Sequence, residues 1–234
     1  MTKSIASNLT TSGIILICIL AWAAVSRAES DLEKNMAVQV MLGATKYDGL
    51  VFEEQSAQDP ATTAEAEFTW LPLIGLSGQL PILRNRMDFG LEGGLMGGWK
   101  RDSTYAHGQN GNVTVYFKNS LWLVDLSMGP YLSVNVKDKV RLYGACGPML
   151  MGGSYTLEAE ETDSVEEYIE ARSDSDSVFG PGFYGRAGVE FRLPDNSLMG
   201  FGVRVYTVQL DFGNIAGTQD VKAVQFMLTY TIGA

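Results

Sequence analysis

Residues 183–212 read FYGRAGVEFRLPDNSLMGFGVRVYTVQLDF. Phe183, Gly185, Ala187, Val189, Phe191 and Leu193 share one parity, and Tyr184, Arg186, Gly188, Glu190 and Arg192 share the other. After Pro194-Asp195-Asn196 the alternation resumes. Met199, Phe201, Val203 and Val205 now oppose Gly200, Gly202, Arg204 and Tyr206. A period of two marks a strand with unlike faces, and two such runs around a Pro-Asp-Asn turn make a hairpin. One face is apolar and aromatic; the other mixes glycine with full charges. Each arm exceeds the usual strand of about 5–6 residues. Strands of this kind suit a barrel standing in lipid, with its polar face turned into a packed interior.

Six further strands are expected from the same pattern: residues 36–47, 66–80, 87–99, 121–136, 139–155 and 221–232. In the second of these, Phe68, Trp70, Ile74 and Leu76 share the apolar face. The last is the clearest, with Val224, Phe226, Leu228, Tyr230 and Ile232 opposite Ala223, Gln225, Thr229 and Thr231. Tight turns follow the second, fourth and sixth strands. Longer polar loops are expected near residues 48–65, 100–114, 156–178 and 213–220. Short turns on one rim and long loops on the other is the asymmetry of outer-membrane barrels. The expected fold is all-β: an eight-stranded antiparallel up-and-down transmembrane β-barrel over residues 36–234.

Aromatic residues set its depth. Beyond residue 28 the tryptophans are Trp70, Trp99 and Trp122, all at the long-loop ends of their strands. Phe89, Phe191, Phe201 and Tyr230 occupy the apolar face near the short turns. Phe89 and Trp99 share a strand, and the rise of a tilted strand puts them about 25 Å apart along the membrane normal, the height of an outer-membrane apolar band. Aromatic side chains belong at both edges of that band.

The first residues have a separate role. Lys3 precedes an apolar run, Gly13 to Val25, GIILICILAWAAV, which ends at Ser26-Arg27-Ala28. Residues 1–28 are expected to be a secretory signal peptide and 29–35 a short lead-in to the barrel. A membrane-spanning helix needs about 20 apolar residues, more than this run holds. Cys146 is then the one remaining cysteine, so no internal disulfide forms; it is expected to be a small packing residue. Lys3 and Arg27 account for +2 of the formal charge of −10, so the rest of the chain stands at −12. That balance argues against a nucleic-acid partner, whose phosphates need a basic surface.

Glu92, Asp125, Arg141, Arg186, Glu190 and Arg204 fall on the inward face and are expected to form a lumen charge network. Counting from the turn, Arg186 lies opposite Arg204 and Glu190 opposite residue 200, so carboxylates must separate two facing arginines. Either a gated polar pathway or an ion-pair plug would satisfy these charges. The width of eight strands, just enough for their own side chains, favours the plug. Gly202 also faces inward and should tolerate a small side chain wherever the space beside it is empty.

Three further features bear on chemistry. Gly129-Pro130, Gly147-Pro148 and Gly180-Pro181 recur inside strands and are expected at bulges or strand ends. Residues 157–178, LEAEETDSVEEYIEARSDSDSV, set Glu158, Glu160, Glu161, Asp163, Glu166, Glu167, Glu170, Asp174 and Asp176 against Arg172 alone. This loop would either meet divalent cations beside lipopolysaccharide or a basic surface partner, or simply remain solvated; no fixed metal-ligand spacing favours the first. Ser164 to Glu167 would cap a short surface helix. His107, the sole histidine, sits in a Gly/Asn-rich stretch with no serine at a matching strand position, which argues against catalysis.

Strand number, loop asymmetry, aromatic girdles and the alternating last strand resemble the small eight-stranded outer-membrane barrels of the OmpA/OmpX-like family. The resemblance departs at the end of the chain, Tyr230-Thr231-Ile232-Gly233-Ala234, where such barrels usually finish on an aromatic residue. It implies the outer membrane of a Gram-negative bacterium, lipid and lipopolysaccharide as surroundings, no cofactor, and a non-enzymatic role in envelope integrity or adhesion. The alternatives are a narrow porin, a lipid A-modifying enzyme and a soluble lipocalin-like barrel. The last would turn the apolar face inward, against the placement of Arg186, Glu190 and Arg204.

Overall fold

The computed structural model describes residues 36–48, 51–55, 63–84, 87–107, 114–136, 139–160, 174–212 and 218–233. The expected signal peptide and residues 29–35 lie outside these, as does most of the acidic loop. The strands are β1 (Ala37–Asp48), β2 (Val51–Gln55), β3 (Thr63–Glu67), β4 (Trp70–Leu83), β5 (Met87–His107), β6 (Thr114–Val136), β7 (Val140–Glu160), β8 (Asp174–Arg192), β9 (Leu198–Asp211) and β10 (Thr218–Ile232). Eight of them close into an antiparallel barrel in the order β1-β10-β9-β8-β7-β6-β5-β4, and β2 and β3 pair separately as a hairpin. Closure leaves no sheet edge within the lipid, where an unpaired backbone group would have no water to bond.

The alternation read from the sequence sorts the side chains. On β9, Met199, Phe201, Val203 and Val205 are exposed on the outer wall while Arg204, Tyr206, Val208 and Leu210 are buried. The 193–197 turn holds the hairpin in register. Leu193 N–H donates to Ser197 O, and the Asp195 carboxylate accepts from the Ser197 hydroxyl (2.6 Å) and N–H (3.1 Å). Those two bonds, the hydroxyl first, hold the Asp195 carboxyl below the usual carboxylate range. Asn196 has φ = 65°, a left-handed conformation that asparagine tolerates better than most residues.

Several expectations are corrected. The strands run further than the apolar pattern. β5 and β6 stay paired from Trp99↔Trp122 up to His107↔Thr114, and β7 and β8 up to Leu157↔Asp174. Much of the expected loops at 100–114 and 156–178 is therefore strand, and the expected loop at 48–65 contains the β2–β3 hairpin. Ladder hydrogen bonds join backbone to backbone whatever the side chains are, so the pairing continues after the apolar alternation has stopped.

The expected second strand breaks at Phe68-Thr69, between β3 and β4. Phe68 thereby turns inward to 1% exposure, whereas Trp70 stays on the outer wall. Gly129-Pro130 and Gly147-Pro148 sit at neither bulges nor strand ends, whereas Gly180-Pro181 lies within β8 just past the end of its ladder with β9 at Gly182↔Val208. The β6–β7 ladder lapses between Ser127↔Met149 and Tyr131↔Ala145, then resumes without a shift. Pro130 and Pro148 fall in that gap, so two residues without N–H share one seam. Gly129 faces Gly147 there; a Cβ on either would strike the opposite strand, at the Cys146 and Met128 carbonyls. Among the described residues the barrel's register shifts once, between Pro81 and Leu83. Cys146 is not a packing residue: its thiol is exposed on the outer wall.

Candidate functional site

The lumen is the one place where charged side chains converge among the described residues. It has two layers. Toward the short turns lies a polar layer of three arginines and three carboxylates. Arg186 and Arg204 are register partners, as are Glu190 and Gly200. The two arginines turn to different carboxylates. Arg204 makes a two-pronged pair with Asp125, Nη1 to Oδ2 at 2.9 Å and Nη2 to Oδ1 at 2.7 Å. Arg186 Nη2 meets Glu92 Oε2 at 2.6 Å and donates to Gln39 Oε1 at 2.7 Å.

Arg141 completes the set. Its Nη2 donates to Gln79 Oε1 at 2.8 Å, and its Nε lies 2.9 Å from Glu190 Oε2 without hydrogen-bond alignment. The other Glu190 oxygen accepts from Thr231 (2.6 Å), Gln39 (2.7 Å) and Thr229 (3.1 Å). Glu190 thus pairs with Arg141, and neither Arg186 nor Arg204 reaches it directly. All six charged residues are at most 5% exposed.

Aromatic rings divide the cations. Tyr143 lies under both Arg141 and Arg186, with centroid distances of 5.7 and 5.1 Å. Arg204 stacks over Tyr184 at 4.8 Å and Tyr206 at 5.5 Å. The Nε atoms of Arg186 and Arg204 have no hydrogen-bond partner among the described residues, so ring faces supply what acceptors do not. The sequence pattern puts Gln225, Thr229 and Thr231 on the inward face without giving them a part in the network, and Gln39 and Gln79 join them there. Their polarity at positions beside charges was the available signal. Tyr143 and Tyr184 carried a second one: large rings opposite glycines on the neighbouring strand.

Tyr143 fills the space beside Gly202, so the condition for tolerance there is not met. A Cβ on Gly202 would lie 2.6 Å from the Tyr143 hydroxyl oxygen, and one on Gly188 would strike the same atom. The two glycines are the floor on which the tyrosine rests. Gly202→Ser should therefore cost about 1–3 kcal/mol, as overpacking of a filled interior does. Urea unfolding in lipid vesicles measures it, and an unchanged midpoint would mean that Tyr143 has room to swing aside.

Toward the long loops the lumen is apolar. Leu71, Leu121, Leu123, Met151, Val208, Leu210, Phe212 and Phe68 are all at most 3% exposed. Phe68 meets Tyr155 edge-on at 6.3 Å, and the Tyr206 and Tyr47 hydroxyls share a 3.1 Å hydrogen bond at the boundary between the layers. The sequence reading anticipated a polar interior throughout; these inward leucines look like any others until strand parity is fixed along the whole length.

The aromatic girdles stand on the outer wall. Trp70, Trp99 and Trp122 are each close to half exposed; Trp99 packs on Trp122 at 5.6 Å and Trp70 on Phe226 at 6.3 Å. Phe89, Phe191, Phe201 and Tyr230 are likewise outward-facing. His107 ends β5, opposite Thr114. Glu158 and Glu160 close β7, opposite Lys118 and Tyr116. Glu161, Asp163, Glu166, Glu167, Glu170 and the expected surface helix fall outside the described residues.

The family described as "Outer membrane protein beta-barrel domain" matches residues 14–231. No curated protein sequence matches. Among solved structures, the chain is similar to Ail, the attachment invasion locus protein of Yersinia pestis, in complex with the heparin analogue sucrose octasulfate: 13% identity, TM-score 0.41, covering 85% of this chain and 99% of that one. It is also similar to Neisserial surface protein A (11%, TM-score 0.40, 85% and 97%). OprG from Pseudomonas aeruginosa is a third (12%, TM-score 0.41, 87% and 100%).

Proposed function

Because the chain belongs to the outer membrane protein β-barrel family, we propose that it is a closed, non-conducting and non-enzymatic barrel of the Gram-negative outer membrane. Its role is envelope integrity or surface contact, exercised through the long-loop rim. The observation that carries this reading is the two-layered lumen. A pore needs a continuous wet path, and here a packed apolar layer stands on a polar layer whose charges are spent on one another. Eight strands leave about the width that their own side chains fill.

The test is conductance. The purified full chain, inserted in planar bilayers, should show no steady channel at moderate voltage. Steady unitary currents would sink the closed reading and put a narrow porin in its place.

A further inference from the structure

At the short-turn end the lumen opens into a cavity of about 320 Å³. A water molecule occupies about 30 Å³ of the liquid, so the space would hold roughly ten. Its wall includes Arg84, Arg141, Arg192, Asp88, Tyr131 and Asn135. In a chain of net charge −10, Arg84 and Arg192 against Asp88 leave the basin one charge positive, Arg141 being balanced by Glu190.

The carboxylates deeper in the lumen are already balanced, Glu92 by Arg186 and Glu190 by Arg141, with Gln79, Gln39 and two threonines beside them, so they do not cancel the charge of Arg84 and Arg192. Arg141 is 4% exposed and fixed at the cavity's inner end. Its Nη2 donates to Gln79 and its Nε faces Glu190 without hydrogen-bond alignment, so the five donors of this buried cation are not all spent. Arg84 and Arg192 each hold a partner within the protein, but five donors per guanidinium leave others to offer. The Tyr131 ring gives the wall an apolar side.

We propose that this basin binds an oxyanion of the phosphate class. Forked guanidinium donors match phosphate oxygens two at a time, and a partly enclosed site weakens such bonds less than open water does. Short turns mark the periplasmic rim of these barrels. The phosphate therefore comes either from the aqueous periplasm or from a phospholipid headgroup of the inner leaflet.

The experiment uses the folded full chain in a phosphate-free detergent, with inorganic phosphate as the probe. Its ³¹P line width is followed against concentration at fixed ionic strength. The expected result is saturable broadening. Loss of the paired donors should weaken binding by about tenfold per arginine, so the Arg84→Gln/Arg192→Gln double variant falls well below wild type. Lys139→Gln, on the same rim but outside the cavity wall, should leave the affinity unchanged. Heat-modifiable gel mobility reports folding, and Arg84→Gln alone replaces the double variant if that does not fold. A response that persists in phosphatidylglycerol vesicles assigns the site to soluble phosphate; one lost there but present in detergent assigns it to the headgroup. No saturable broadening in detergent, or equal affinity in wild type and the folded arginine variant, overturns the proposal.

Discussion

Asp125→Ala should lower the unfolding free energy of the barrel by about 3–5 kcal/mol, the usual consequence of stranding a buried charge. Arg204 is 0% exposed, and Asp125 supplies both of its charged contacts. Gln225 Oε1 at 3.0 Å and Met96 Sδ at 3.2 Å would remain, and neither carries a negative charge. The pair need not stabilise the fold relative to an apolar filling of the same volume. The matching expectation is that Asp125→Leu with Arg204→Met recovers most of the loss. A double-mutant cycle read by urea unfolding in lipid vesicles checks both statements. If the double variant is as weak as the sum of its singles, the site matters for packing and not for charge.

Val203→Arg tests the other face. Val203 lies on the outer wall midway along β9, between the Met199 and Thr207 ends of its lipid-facing row, and its register partners Ala187 and Phe226 also face outward. A cation there should cost about 2–4 kcal/mol, and the same change at Ser177, in register with Ser154 and so with Trp122 of the girdle, about 0–1 kcal/mol. Equal losses at the two positions would mean that the apolar band does not sit between the aromatic rows.

What the sequence could reveal depended on how the environment writes itself into side chains. Where one face meets lipid and the other the lumen, each residue declares its side, and Phe183 to Phe212 yielded both the faces and the Arg186–Arg204 register. Beyond Trp99 and Trp122 lipid no longer requires the outward residues to be apolar, the two-sided pattern fades, and the paired strands there look like loops in the sequence. Phe68 misled for a related reason: the chain breaks at Phe68-Thr69, and a parity counted through a break comes out reversed. The six charges were legible as a set because charge inside a barrel must be compensated. That carboxylates from across the lumen, Glu92 and Asp125, serve Arg186 and Arg204 was also within reach, but the Glu190–Arg141 pair was not, because it depends on the β7–β8 register, which the long connection between those strands hides. The apolar layer was invisible for the opposite reason: a leucine on the inward side carries no label that separates it from one facing lipid.

The paired strands that rise past Trp99 and Trp122 act as a pedestal. From that girdle to His107 and Thr114 they add about 20 Å of height, given the rise and tilt of barrel strands. The connection between β5 and β6 therefore starts well clear of the lipid headgroups. A large macromolecule can reach the His107–Thr114 end of this ladder without approaching the bilayer, and changes of sequence there are separated from the membrane-embedded wall by the paired positions between that end and Trp99↔Trp122.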